Sequence, residues 1–115
     1  MAVYKPENSE AASRIYSSVD DIVIKYTAEW CGPCKRIAPV FEKLSQEYSD
    51  IVFMEVDVDK CIGFAGNIKS LPTFNFIHNK NSIMSFSGAD EKNLTVSMTK
   101  FNEYLNNIYA GPPGI

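Results

Sequence analysis

Three cysteines, one histidine and one tryptophan are all that the 115 residues hold of those types. An odd, low cysteine count argues against a structural disulfide framework. It fits a reducing compartment, where paired thiols are catalytic or metal-binding. The expected location is cytoplasmic, with the nucleus as a further one. A zinc site takes about four ligands, and beyond Cys31 and Cys34 the chain offers only Cys61 and His78, at unrelated places. No metal is therefore expected. Cys61 reads as a half-buried packing residue, with a regulatory thiol as the alternative. His78, beside "NKN", reads as a solvated turn residue and not as a catalytic base. No apolar run approaches the roughly 18 residues of a membrane span, and no membrane partner is expected. The opening "MAVYKPENSEAAS" lacks a charged segment followed by an apolar one, so no secretory leader is expected. A basic cluster is also absent: the net charge is −3 with the signs interspersed. Without a basic stripe, nucleic acid is not an expected partner.

What is present is an ordinary globular mixture, 45% hydrophobic and 22% charged, in a length that suits one domain with a core of its own. The domain is expected over 1–108, with 109–115 as a flexible tail or the start of a linker. Residues 2–5 suggest a short edge strand ended by Pro6. "ENSEAASRIYSSV" suggests a helix capped by Asn8 or Ser9, with Ala12, Ile15, Tyr16 and Val19 near one face. "DIVIKYTA" is β-branched and mostly apolar, the pattern of a strand buried on both faces. From about Cys31 to Tyr48, Ile37, Val40, Phe41, Leu44 and Tyr48 recur at helical spacing, with Pro39 placed to kink the helix. "DIVFMEVDV" reads as a strand and "KCIGFAGNI" as a short helix or turn. "PTFNFIHN" and "SIMSFSG" form a hairpin around "NKN". A last helix over "DEKNLTVSMTKFNEYLNNI" turns Leu94, Met98, Phe101, Leu105 and Ile108 inward. The order β-α-β-α-β-α-β-β-α predicts an α/β fold, a mixed sheet of four to five strands with helices on both faces.

The chemistry concentrates in "AEWCGPCK". Cys31-Gly32-Pro33-Cys34 follows a strand and opens a helix. A thiolate, not a thiol, attacks a disulfide. A helix N-terminus offers unpaired N–H groups and partial positive charge to such an anion. The two-residue spacer lets Cys34 reach Cys31 and resolve a mixed disulfide within one molecule. Gly32 is expected to let the backbone turn closely. Pro33 gives up an N–H that has no helical partner at that position. Trp30, beside the thiols, suggests a contact surface.

With Pro39, "VDVD" at 56–59, "LPTF" at 71–74 and "FSGA" at 86–89, these residues resemble the thioredoxin family over roughly 20–105. The resemblance implies a thioredoxin fold and thiol-disulfide oxidoreductase activity on protein disulfides. It implies Cys31 as exposed nucleophile, Cys34 as buried resolving cysteine, and Pro72 as a cis-proline beside them. Substrate docking is expected on Trp30, Ser70, Leu71, Pro72 and Gly88, with the backbone of Ser70 and Leu71 as its edge. Gly32, Pro33, Lys25 and Glu55 are expected to support the site. No bound cofactor is implied; NADPH acts indirectly through a thioredoxin reductase.

One position departs from the pattern. Six residues before Cys31 the family usually has a buried aspartate, thought to take or relay the proton of the buried cysteine; here stands Lys25. Glu55 is its expected partner, and Glu55 or a water becomes the candidate proton acceptor. Lys25 either reaches the surface or Glu55, or acts as a cation that favours the thiolate. Lys25 together with "FMEVDVDKC" and "HNKNSIMSFSGAD" is similar to the thioredoxin-like protein 1 group, whose redox domain precedes a proteasome-interacting one. The readings are thus a disulfide reductase or a redox-active adaptor, with the proteasome as partner if the chain belongs to a longer one. A monothiol or iron–sulfur role is disfavoured by Cys34.

Overall fold

The computed structural model describes residues 3–111. Their order is β1 (Val3–Tyr4), α1 (Ser9–Ser17), β2 (Asp21–Thr27), α2 (Gly32–Glu47), β3 (Val52–Asp57), α3 (Ile62–Ala65), β4 (Thr73–His78), β5 (Asn81–Ser87) and α4 (Glu91–Ala110). The strands form one mixed sheet in the order β1-β3-β2-β4-β5. β2 pairs with β3 in parallel and with β4 antiparallel. This is the expected architecture. No helix among the described residues is long and apolar enough to cross a membrane.

Each element follows from local chemistry. The Asn8 side chain accepts the Ala11 N–H at 2.8 Å and Asp90 accepts that of Asn93 at 2.9 Å, satisfying donors that a helix start leaves unpaired. The hairpin turns through Asn79 (φ 54°) and Lys80 (φ 69°), both left-handed, the geometry that matches the twist of the flanking strands. Lys80 then reaches over the Tyr16 ring and donates to the carbonyls of Tyr16 (2.7 Å) and Val19 (2.8 Å). The turn is thereby tied to the end of α1.

Side chains alternate across β2. Val23 faces a core under α2 and α4 with Ile37, Phe41, Leu44, Phe76 and Phe101. Ile22, Ile24 and Tyr26 face a second core with Ala12, Met54, Val56 and Cys61. Both faces of β2 are covered, as its unbroken apolar run required.

Four expectations are corrected. Ile108 is 40% exposed rather than inward, and in this part of α4 Tyr109 meets the sheet, at Asp21 and His78. Cys61 is fully buried, not half-buried, with its thiol donating to the Pro6 carbonyl at 3.7 Å. Burial pushes that thiol above its ordinary value. His78 is not a solvated turn residue: its Nδ1 lies 2.6 Å from Asp21 Oδ1, and Tyr104 and Tyr109 pack edge-on against it. Tyr109 donates to the other Asp21 oxygen at 2.7 Å, and that bond pushes its pKa up to about 12. Tyr109 and Ala110, placed in the expected tail, belong to α4, whereas 112–115 lie outside the described residues.

Phe76 is fully buried and packs its ring against Phe86 and Phe101, tying β4 to β5 and α4. Phe76→Ala is expected to cost about 3–5 kcal/mol of stability, measured by denaturant unfolding. A loss within error of zero contradicts this account of the core.

Candidate active site

β2 ends at Thr27, and three residues carry the chain to Cys31, the N-cap of α2. The Cys31 sulfur accepts the Cys34 N–H at 3.2 Å. A helix-start donor is thus aimed at the sulfur, where negative charge on it is stabilised. Pro33 occupies the first turn, as expected. Cys31 and Cys34 are joined by a disulfide with their Cα atoms 5.3 Å apart. This is the oxidised form of a dithiol pair.

Cys31 is 5% exposed and Cys34 is 1% exposed, so neither sulfur is widely open. The exposed nucleophile of the sequence reading is corrected in that sense. What separates the two cysteines is the space each borders. Cys31 lines a cleft of about 490 Å³ between Trp30, Gly32 and Pro33 on one side and Val58, Ile68, Lys69 and Leu71 on the other. Cys34 does not line it. Cys34 borders a different cavity, of about 220 Å³, with Lys25 and Glu55.

Trp30 is 71% exposed, a large apolar surface at the cleft edge, and its indole N–H donates to Asp59 Oδ2 at 2.8 Å. Gly32 has helical backbone and open space around a hypothetical Cβ. The turn therefore does not demand glycine. Leu71 packs against the disulfide, and the Leu71–Pro72 bond is cis. Ser70 and Gly88 do not line the cleft but are bonded to the segment beside Leu71, which does. The Ser70 carbonyl accepts the Thr73 hydroxyl at 2.6 Å. The Gly88 N–H donates to the Pro72 carbonyl at 2.8 Å, from a φ of 106° that suits glycine.

Lys25 does not reach the surface. It is 1% exposed, and its Nζ donates to the Cys34 carbonyl at 3.1 Å and to Glu55 Oε1 at 3.3 Å. Register explains the pair, since Lys25 and Glu55 are direct partners on β2 and β3. Burial holds Lys25 below its ordinary value of 10.5, while the charge and hydrogen bond of Glu55 oppose that shift. Among the described residues no three His, Cys, Asp or Glu side chains gather as a metal requires.

Sequence reasoning missed Val58, Asp59, Ile68 and Lys69. Val58 and Asp59 stood in "VDVD" and carried a signal. Ile68 and Lys69 carried none, because a loop far from Cys31 in sequence brings them to it.

A dithiol at a helix N-terminus, oxidised to a disulfide beside an apolar cleft, defines a thiol-disulfide oxidoreductase. The thioredoxin family profile matches residues 2–100. Mouse thioredoxin is 39% identical over 99 residues, covering 83% of this chain and 94% of its own. Reduced thioredoxin of Schistosoma mansoni superposes with a TM-score of 0.80 at 32% identity, over 88% of this chain and 99% of that one. Oxidised thioredoxin of Plasmodium falciparum does so with 0.80 at 35%, over 87% and 98%. The chain belongs to the thioredoxin family.

The lowered value of Lys25 has a consequence for stability. Between that value and 10.5 the unfolded chain holds more protons at this position than the folded one. Stability contributed by this residue therefore rises with pH across that window. Glu55, Lys5 and Glu42 are the charged groups that act on it, and they remain in a Lys25→Met variant. The stability difference between wild type and Lys25→Met is expected to move in favour of wild type as pH rises through the window. Guanidinium unfolding at several pH values measures it, and parallel curves contradict it.

Proposed function

We propose that this chain reduces protein disulfides, with Cys31 as the attacking sulfur and Cys34 as the resolving one. The observation that carries the assignment is that Cys31 borders the open cleft and Cys34 does not. The Cys31 thiolate attacks a substrate disulfide, forming a mixed disulfide and releasing one substrate thiolate. Cys34, as thiolate, then attacks the Cys31 sulfur and releases the second. Two electrons pass to the substrate, and the Cys31–Cys34 disulfide remains. A thioredoxin reductase using NADPH returns it to the dithiol. The apolar walls from Trp30, Val58, Ile68 and Leu71 suit an extended segment flanking the substrate cysteine. The Ser70–Leu71 backbone serves as docking edge, with Pro72 and Gly88 fixing its place. The setting is cytoplasmic, with the nucleus as a further one.

Within the family, Lys25 and its ion pair with Glu55 favour kinship with the thioredoxin-like protein 1 group, which makes the proteasome a candidate partner. Co-sedimentation with purified proteasomes tests that reading. Free migration removes it and leaves the reductase intact.

Insulin-disulfide reduction with thioredoxin reductase and NADPH is the direct assay. Wild type is expected to turn over continuously. Cys34→Ser is expected to lose turnover by orders of magnitude and to accumulate a mixed disulfide, visible by mass spectrometry. Equal turnover by the Cys34→Ser variant sinks the resolving role.

A further inference from the structure

Lys25 is a buried cation that the sulfur exchange does not itself employ. Its ammonium is pinned from two sides, by the Cys34 carbonyl at 3.1 Å and by Glu55 at 3.3 Å. Its Nζ lies over the Phe41 ring, 5.8 Å from the centre. The cavity beside it is shared by Cys34 and by Glu55, with the exposed Lys5, Glu29 and Lys35 also bordering it. Glu42 of α2 completes the charged surroundings, paired with Lys5 at 3.6 Å. The dithiol thus has two unlike sides: an apolar cleft at Cys31 and a charged cavity at Cys34.

We infer that Lys25 is a positioning residue, a fixed cation behind the dithiol that biases the Cys31/Cys34 couple toward its reduced form, with Glu55 setting how much of that charge the sulfurs feel. The inference rests on the disulfide-reductase reading and deepens it. The physical reason is an asymmetry between the two redox states. The disulfide is neutral, whereas the reduced pair carries negative charge whenever one sulfur is a thiolate. A nearby cation lowers the energy of the second state and leaves the first nearly unchanged. Glu55, as an anion at the same cation, offsets part of the effect. In a glutathione buffer the balance is explicit. Two glutathione thiols supply two electrons and leave as glutathione disulfide. The Cys31–Cys34 bond breaks to one thiolate and one thiol, and one proton is released to solvent.

The test equilibrates the full chain with defined glutathione ratios and reads the reduced fraction. Lys25→Met is expected to lower the equilibrium constant for reduction about tenfold, equivalent to about 30 mV toward the reducing side. The double variant Lys25→Met/Glu55→Gln is expected to shift in the same direction but less, because Lys25→Met alone leaves the Glu55 anion facing Cys34. Glu55→Gln alone, at mildly acidic pH where Lys25 keeps its proton, is expected to shift the opposite way. Lys25→Gln stands in if the methionine variant does not fold. A merely structural lysine leaves the constant unchanged, since a packing defect is common to both redox states. Wild-type constants in both the single and double Lys25 variants overturn the inference. Because the equilibrium needs no reductase and no protein substrate, its failure is distinguishable from failure of insulin reduction.

Discussion

Residues 22–27 of β2 are buried without a break, with β3 hydrogen-bonded on one edge and β4 on the other. Such a strand has nowhere to slip. A shift of one residue would move its apolar set to the wrong core and bring a lysine into the face now filled by Ile22 and Ile24. The site depends on that fixity. Thr27 ends the strand, the Val58 N–H closes onto the Thr27 carbonyl at 2.9 Å, and four residues later Cys31 caps α2. The dithiol is therefore delivered by the most constrained segment of the molecule, and the helix start that polarises it is anchored by Ile37, Phe41 and Leu44 in the core beneath.

Much of this was legible in the letters. Unbroken β-branched residues marked β2, helical spacing marked α2 and α4, and the Asn-Lys-Asn turn marked the hairpin. The cysteine spacing marked the chemistry. What escaped were contacts that close long loops. His78 seemed a turn residue because its partners, Asp21 and Tyr109, lie 57 positions before it and in α4 beyond Leu105. Cys61 looked half-buried until Pro6, 55 positions away, closed over it. Ile108 continued the apolar period of α4, but it is Tyr109 that meets the sheet there, through a hydrogen bond to Asp21 that apolar periodicity cannot report. Gly32 was read as letting the backbone turn closely, but the structure gives it helical geometry and open space. Ile68 and Lys69, in the wall of the cleft, had no local pattern to reveal them.

The site separates two tasks by geometry rather than by exposure. Both sulfurs are nearly inaccessible in the disulfide, so accessible area alone distinguishes them poorly. The spaces they border do better: one is wide and mostly apolar, fit for a peptide, and the other is small and charged. Trp30 illustrates how the first is kept in shape. Its ring is exposed, yet its indole N–H is tied to Asp59, which holds a large apolar surface in place without burying it. An exposed tryptophan fixed in this way loses little conformational freedom when a partner covers it.

The charge behind Cys34 is hard to explain by folding alone. A buried ion pair costs desolvation on both partners, and apolar replacements of similar volume are often neutral or stabilising. Lys25 lies near Phe41, which packs on Phe53 and Phe74, a setting in which an unbranched apolar side chain fits. Glu55, half-buried, is satisfied by solvent as readily as by a lysine. The ammonium also bonds the first turn of α2, through the Cys34 carbonyl at 3.1 Å. That turn changes its charge when the disulfide is reduced. A fixed cation placed there acts differently on the two redox states, and an apolar substitute does not; this difference is the physical ground for reading the pair as part of the redox chemistry rather than of the core.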